Sequence, residues 1–148
     1  EVLSDRVSVG GTINEPTVFS TMGYTLGMFP PGRRSVPMTL RVMRNLLRAH
    51  AKVYRRLKTL NPDVQIGVAK NVTLFDPKNR WSPFDWPLAR LMEGFWNGAW
   101  RSGIQNGRMF FKDIPEAKGT LDFVGLNYFH EKLHKSYSLP IQFHLQRI

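Results

Sequence analysis

The sequence predicts an α/β fold in which parallel strands are joined by helical crossovers. Segments of strand and helix character alternate in the order strand, helix, strand, helix, strand, and such alternation favours parallel pairing with crossovers. Each strand-like segment carries an asparagine at its end or one residue before it, at nearly equal spacing: Asn14 to Asn71 is 57 positions and Asn71 to Asn127 is 56. The two connecting segments each carry one apolar stripe at the helical period. No sequence repeat accompanies this spacing, so the repetition is one of architecture.

The first predicted strand is Val7 to Asn14, "VSVGGTIN". Gly10 and Gly11 weaken it, each adding about 0.5–1 kcal/mol of entropic cost. Asn14, Glu15 and Pro16 follow at its mouth, and the prolines and glycines beyond read as a loop. The first helix runs from about Met38 to Leu60. Leu40, Met43, Leu47, Ala51, Tyr54 and Leu57 form its stripe, Pro37 sits where a missing N–H does no harm, and "NPD" at 61–63 ends it. The second strand is Val64 to Asn71, "VQIGVAKN". Leu88, Leu91, Met92, Phe95, Ala99 and Trp100 mark a second helix that Gly107 can stop. The third strand is Leu121 to Tyr128, "LDFVGLNY". The second and third strands are short and apolar, as strands buried on both faces tend to be.

Ligands in parallel α/β folds gather at the carboxyl ends of strands, so Asn14, Asn71, Asn127 and Glu15 are expected on one rim. Amides there suit a ligand covered in hydroxyls, because each both donates and accepts. An asparagine at a strand end is also an ordinary turn former, and that reading stands beside the first.

Composition narrows the class. The 148 residues include 42% hydrophobic and 12% aromatic side chains, enough for a core and unlike a disordered tail. No apolar run of about 18 residues occurs, so no membrane span is expected. The amino terminus lacks a basic-then-apolar signal layout and an initiator Met, which points to a cytoplasmic chain that begins inside a larger protein. With no cysteine, disulfides and thiolate metal sites are excluded. Twenty-one Lys and Arg against eleven Asp and Glu give +10. Seven of these cations (Arg41, Arg44, Arg48, Lys52, Arg55, Arg56 and Lys58) fall in the first helix, the pattern of a solvated face, so no nucleic-acid partner is expected.

Four motifs in order give the chain a resemblance to glycoside hydrolase family 1, the β-glucosidase and β-glycosidase family. "TINEP" at 12–16 resembles its T-x-N-E-P, "GYTLGMFPPG" at 23–32 the loop that follows, and "AHAKVY" at 49–54 the next helix. "DFVGLNYF" at 122–129 is similar to its sixth-strand motif. The resemblance implies a partial (β/α)8 TIM barrel, strands four to six, in which residues 1–148 are one segment of an incomplete domain. A whole barrel takes roughly 250 residues.

It also implies a retaining β-glycosidase, in which two carboxyl groups stand about 5–5.5 Å apart across the scissile bond. Glu15 would be the acid/base. To hold its proton near neutral pH it would need partial burial and a second carboxylate nearby. Asn14 would bond the sugar hydroxyl beside the anomeric carbon. Asn127 and Tyr128 would lie close by, and Asn71 on the leaving-group side. The partner is a β-linked glycoside, with no metal or organic cofactor. The nucleophile of the family comes from a T-E-N-G motif, which these 148 residues lack, so the chain alone is expected to be inactive. Two departures bear on the parent: Gly10 and Gly11 stand where the family has an aromatic, and Phe129 where it has a tyrosine that holds the nucleophile.

Other readings compete. "HEKLH" at 130–134 fits the zinc-peptidase H-E-x-x-H, with His144 as an outside third ligand. It follows a strand end directly, and "SYSLP" leaves little room for a helix, so chance histidines in a surface loop are the expectation. His50 reads as a packed helix residue rather than a catalyst. Trp96 and Trp100 read as core, whereas Trp81 and Trp86 are candidates for a leaving-group platform. The alternative function is a non-catalytic barrel remnant serving as a binding or assembly module. Exposed sheet edges would make either form prone to oligomerise.

Overall fold

The computed structural model describes residues 6–127 and the strand at 141–144. In chain order the elements are β1 (Val9–Asn14), α1 (Pro16–Tyr24), α2 (Val36–Leu60), β2 (Gln65–Asn71), β3 (Leu74–Pro77), α3 (Asp85–Glu93), α4 (Ala99–Asn106), β4 (Arg108–Met109), β5 (Lys112–Asp113), β6 (Phe123–Asn127) and β7 (Ile141–His144). They fall into two compact units, 1–71 with 100–127 and 72–99 with 128–148.

The first unit is built on a parallel sheet of order β1-β2-β6. The expected parallel strands are therefore present, each beginning one or two residues later than the sequence predicts. Helix α2 runs the whole expected length. Ser35 caps its start, accepting from Met38 N, and Asn61 turns extended ahead of Pro62. Its stripe is buried at Met43, Leu47, His50 and Ala51, and Ile66 of β2 is also wholly enclosed. Enclosing a Leu, Ile or Met side chain contributes about 1.5–3 kcal/mol, so this small set carries much of the unit's stability.

Polar bonds fix where β6 begins. Asp122 accepts from Ile66 N at 2.8 Å, Tyr54 OH at 2.8 Å and Lys58 Nζ at 2.9 Å. Lys58 also donates to the Val64 carbonyl at 2.7 Å, so this cation is turned inward and does not belong to the solvated basic face. Burial alone would raise the Asp122 carboxyl. The Lys58 ammonium, the Ile66 amide and the Tyr54 hydroxyl outweigh it and hold Asp122 below its ordinary value. Gly67 is required by close approach: a Cβ there would stand 2.5 Å from the Phe123 carbonyl oxygen and 2.6 Å from its ring.

The segment after Glu15 differs from expectation. It is a helix, α1, and not a loop. Pro16 occupies its first turn, where proline's fixed φ suits a helix and its missing N–H is not needed. Thr17 and Ser20 are buried, and Ser20 Oγ donates to the Pro16 carbonyl at 2.7 Å. The loop proper begins only at Thr25. Past α4, Gly107 takes φ +67° and stops the helix as predicted, and a short β4–β5 hairpin follows.

The second unit pairs β3 antiparallel with β7 and contains α3. Leu91 is 66% exposed, contrary to its predicted place in an apolar stripe, and Ala89 is buried instead. A π-helical turn, Gly94–Gly98, separates α3 from α4 and breaks the period on which that stripe was projected. Trp96 packs edge-on against Phe75, with ring centroids 6.3 Å apart. Among the described residues, no helix is long and apolar enough to cross a membrane.

Candidate active site

The carboxyl rim of the first unit's sheet brings Asn14, Glu15 and Asn127 together. Asn127 Nδ2 donates to Asn14 Oδ1 at 2.8 Å and to Glu15 Oε1 at 2.8 Å. A single amide nitrogen on β6 thereby holds two side chains from the end of β1, reaching past the intervening β2. Asn71 is half-buried at the same rim, opposite Asn127 in the β2–β6 ladder.

Two backbone irregularities aim this cluster. The first lies in β1: Gly11 pairs with Gly67 but Asn14 pairs with Ala69, so three steps on β1 match two on β2. In a regular ladder Ile13 would stand opposite Ala69. The extra residue brings Asn14 there instead, and a bulge of this kind redirects side chains beside functional sites. The second is Glu15 itself, in the left-handed region at φ 46°, ψ 56°. The following proline disfavours the right-handed helical region for this residue. A left-handed non-glycine costs about 1–2 kcal/mol. Glu15 N donates to the Ala69 carbonyl at 2.8 Å, and its own carbonyl accepts from Phe19 N at 2.9 Å. The strand is thus tied off and α1 begun at one residue, leaving the half-buried carboxyl at the rim.

His50 is packed, as expected for a helix residue in the core, and it bonds at both ring nitrogens. Nε2 lies against the Thr120 carbonyl and Nδ1 is 2.6 Å from Thr12 Oγ1. A carbonyl only accepts, so Nε2 carries the proton and Nδ1 of the neutral ring accepts from the threonine hydroxyl, whose 2.6 Å contact is much shorter than its 3.3 Å approach to the Gly67 carbonyl. Burial pushes the imidazole below its ordinary value, against the Thr120 carbonyl, which favours the charged form. Trp100, also buried, meets His50 edge-on at 6.2 Å. Sequence reasoning did not anticipate this link, although Thr12 and His50 both lie within recognisable motifs.

In the second unit, Trp81 and Trp86 line a pocket of about 360 Å³ with Arg80. Trp81 is 94% exposed. Trp86 belongs to the first turn of α3, and its Nε1 donates to the Arg80 carbonyl at 3.0 Å. Tyr128, Phe129 and the 130–134 motif lie outside the described residues, as does the side chain of His144.

The glycosyl hydrolase family 1 model matches residues 1–146. The chain belongs to that family. Among curated relatives, the 1,4-beta-D-glucan glucohydrolase of Thermotoga neapolitana is 32% identical over 145 residues, covering 87% of this chain and 34% of the relative. Beta-glucosidase A of Thermotoga maritima is 30% identical over 151 residues, covering 91% and 34%. A solved Thermotoga maritima beta-glucosidase in complex with glucoimidazole superposes with a TM-score of 0.79 at 28% identity, covering 98% of this chain and 36% of that one. The chain therefore spans about a third of the length of these relatives.

Proposed function

We propose that Glu15 is the general acid/base of a retaining β-glycosidase, and that residues 1–148 are the middle segment of its (β/α)8 barrel, carrying strands four to six. The observation that carries this reading is the forked amide of Asn127, which presents the Glu15 carboxyl beside Asn14 at the strand ends. In such a reaction the acid protonates the departing glycosidic oxygen while a second carboxylate attacks the anomeric carbon. The first group then takes a proton from the water that releases the sugar.

The forked bond leaves Asn14's NH2 free of that contact, so it can donate to the sugar hydroxyl next to the reacting carbon. Asn71 at the same rim is assigned to substrate binding, as is Tyr128 by its place in the sixth-strand motif, and Trp81 and Trp86 of the second unit are assigned to stacking on a leaving group. The substrate is a β-linked glycoside, in keeping with the glucohydrolase and beta-glucosidase relatives. Two carboxylic acids suffice for this chemistry, so no metal or organic cofactor enters the mechanism. The 148 residues contain one of the two acids in its motif and no T-E-N-G, and by themselves they do not turn over substrate.

The test is a chimera in which residues 6–127 replace the matching segment of Thermotoga maritima beta-glucosidase A. It should hydrolyse 4-nitrophenyl β-glucoside. Glu15→Gln should lower kcat/KM by about 10²–10⁴, the usual worth of general acid–base catalysis. The loss in the glycosylation step should be much smaller with a 2,4-dinitrophenyl leaving group, which departs without a proton. Equal losses on both substrates, or full activity in Glu15→Gln, would remove Glu15 from the role. A folded but inactive chimera would favour the non-catalytic module.

A further inference from the structure

Two groups connect β1 to β6 although β2 lies between them. One is Asn127 Nδ2 at the rim. The other is the His50 imidazole, which reaches Thr12 on β1 and the Thr120 carbonyl ahead of β6. The two strands differ in how firmly they are otherwise held. The start of β6 is fixed by the three bonds of Asp122 and by Thr120 Oγ1, which donates to the Ala117 carbonyl at 2.7 Å. In β1, a Cβ built on Gly10 or Gly11 would meet nothing within 4 Å, so no side chain interlocks there. The irregular stretch between Gly11 and Asn14 follows directly, and Thr12 lies inside it.

We propose that His50 is a positioning residue for the rim cluster: its neutral imidazole, by accepting from Thr12, pins the β1 bulge and so keeps Asn14 and Glu15 within reach of Asn127. A bulge leaves one residue out of the ladder and needs support from outside it. Without the pin, β1 can slip to a regular register, which puts Ile13 opposite Ala69 and turns Asn14 to the other face. The imidazole suits the task because one ring offers a fixed acceptor and a fixed donor on opposite sides of a dry site. Its bearing on catalysis rests on the function proposed for Glu15. The positioning itself does not, and it is read from the amide cluster without turnover.

The experiment uses the 148-residue chain, labelled with ¹⁵N. The Asn127 side-chain amide is assigned through its loss in Asn127→Asp, and its hydrogen exchange is followed with that of the α2 backbone. His50→Gln keeps a donor near the Nε2 position but loses the acceptor, whereas His50→Asn keeps an acceptor near the Nδ1 position. We expect Asn127 exchange to rise about five- to tenfold in His50→Gln, the worth of one hydrogen bond. It should return to within about twofold of the parent in His50→Asn, with α2 protection unchanged in both. Thr12→Val removes the same bond from the β1 side together with the 3.3 Å contact of Thr12 Oγ1 with the Gly67 carbonyl, and should raise Asn127 exchange at least as far as His50→Gln, so an unchanged rate there decides against the pin if either His50 variant fails to fold. Unchanged Asn127 exchange in Thr12→Val, or a folded His50→Gln that matches the parent, would show that the imidazole only fills space and would overturn the proposal. Inactivity of the chimera would leave this result standing, and a loose Asn127 in the parent would leave the acid/base test standing.

Discussion

Replacing Gly67 by alanine tests whether the spacing between β2 and β6 governs the rim. The added Cβ would stand 2.5 Å from the Phe123 carbonyl oxygen, where ordinary contact begins at 3.4 Å. The strands must therefore part by about 0.9 Å at that level, because the obstacle is backbone and cannot rotate away as a side-chain tip would. Overpacking of this kind costs about 1–3 kcal/mol. The same displacement, carried along β6, takes the 2.8 Å bonds of Asn127 beyond hydrogen-bonding distance. Urea unfolding should show a lower midpoint with little change in slope. The Asn127 side-chain amide should exchange faster, although Gly67 touches none of the three rim residues. A variant within about 0.5 kcal/mol of the parent, with Asn127 exchange unchanged, would refute the reasoning.

The histidine and aspartate networks make further predictions. Burial depresses the His50 pKa in the folded state, so the unfolded chain takes up a proton near 6.5 while the folded chain resists it. That contribution is complete above 6.5 and is lost as pH falls through the folded value. Thermal unfolding should shift down between pH 7.5 and 5.5, and should shift less in His50→Phe. The carboxyl of Asp122 is also held low, so its contribution is present above the ordinary carboxylate range and is lost as pH falls through the folded value. Asp122→Asn should cost about 1 kcal/mol at pH 7, after allowance for solvent screening of a partly exposed group. The difference between the two proteins should close in the same urea assay as pH falls below the ordinary carboxylate range and through the folded value. The isolated 148-residue chain should release no 4-nitrophenol from the aryl β-glucoside, and release abolished by Glu15→Gln would contradict that expectation.

Much of the first unit was legible in the sequence because its signals are local and periodic. The α2 stripe, the stops at Asn61 and Gly107, and asparagines closing three parallel strands all come from spacing and turn chemistry. The motif order led to the right family. What escaped was set by geometry that residue types do not encode. Helix α1 was hidden because Pro16 reads as a loop former until it is known to occupy a first helical turn. The bulge in β1 depends on which residue of β2 faces Asn14, a matter of register between distant segments. Leu91 fell on the wrong face because a π-helical turn resets the helical period a few residues later, with only glycines at 94 and 98 to mark it. The His50–Thr12 bond joins two motifs 38 positions apart, and only the packing of α2 on β1 brings them together.

The left-handed backbone of Glu15 has a consequence for how this position behaves under mutation. Asparagine and glycine accept that conformation readily, and either would relieve about 1–2 kcal/mol of backbone cost while giving up one rim hydrogen bond of comparable worth. Folding alone exerts little pressure to keep a glutamate there. A library sorted only for heat resistance or soluble yield would let the carboxyl drift away without penalty, and soundness of the folded chain is no guide to whether the group proposed as acid/base is still there.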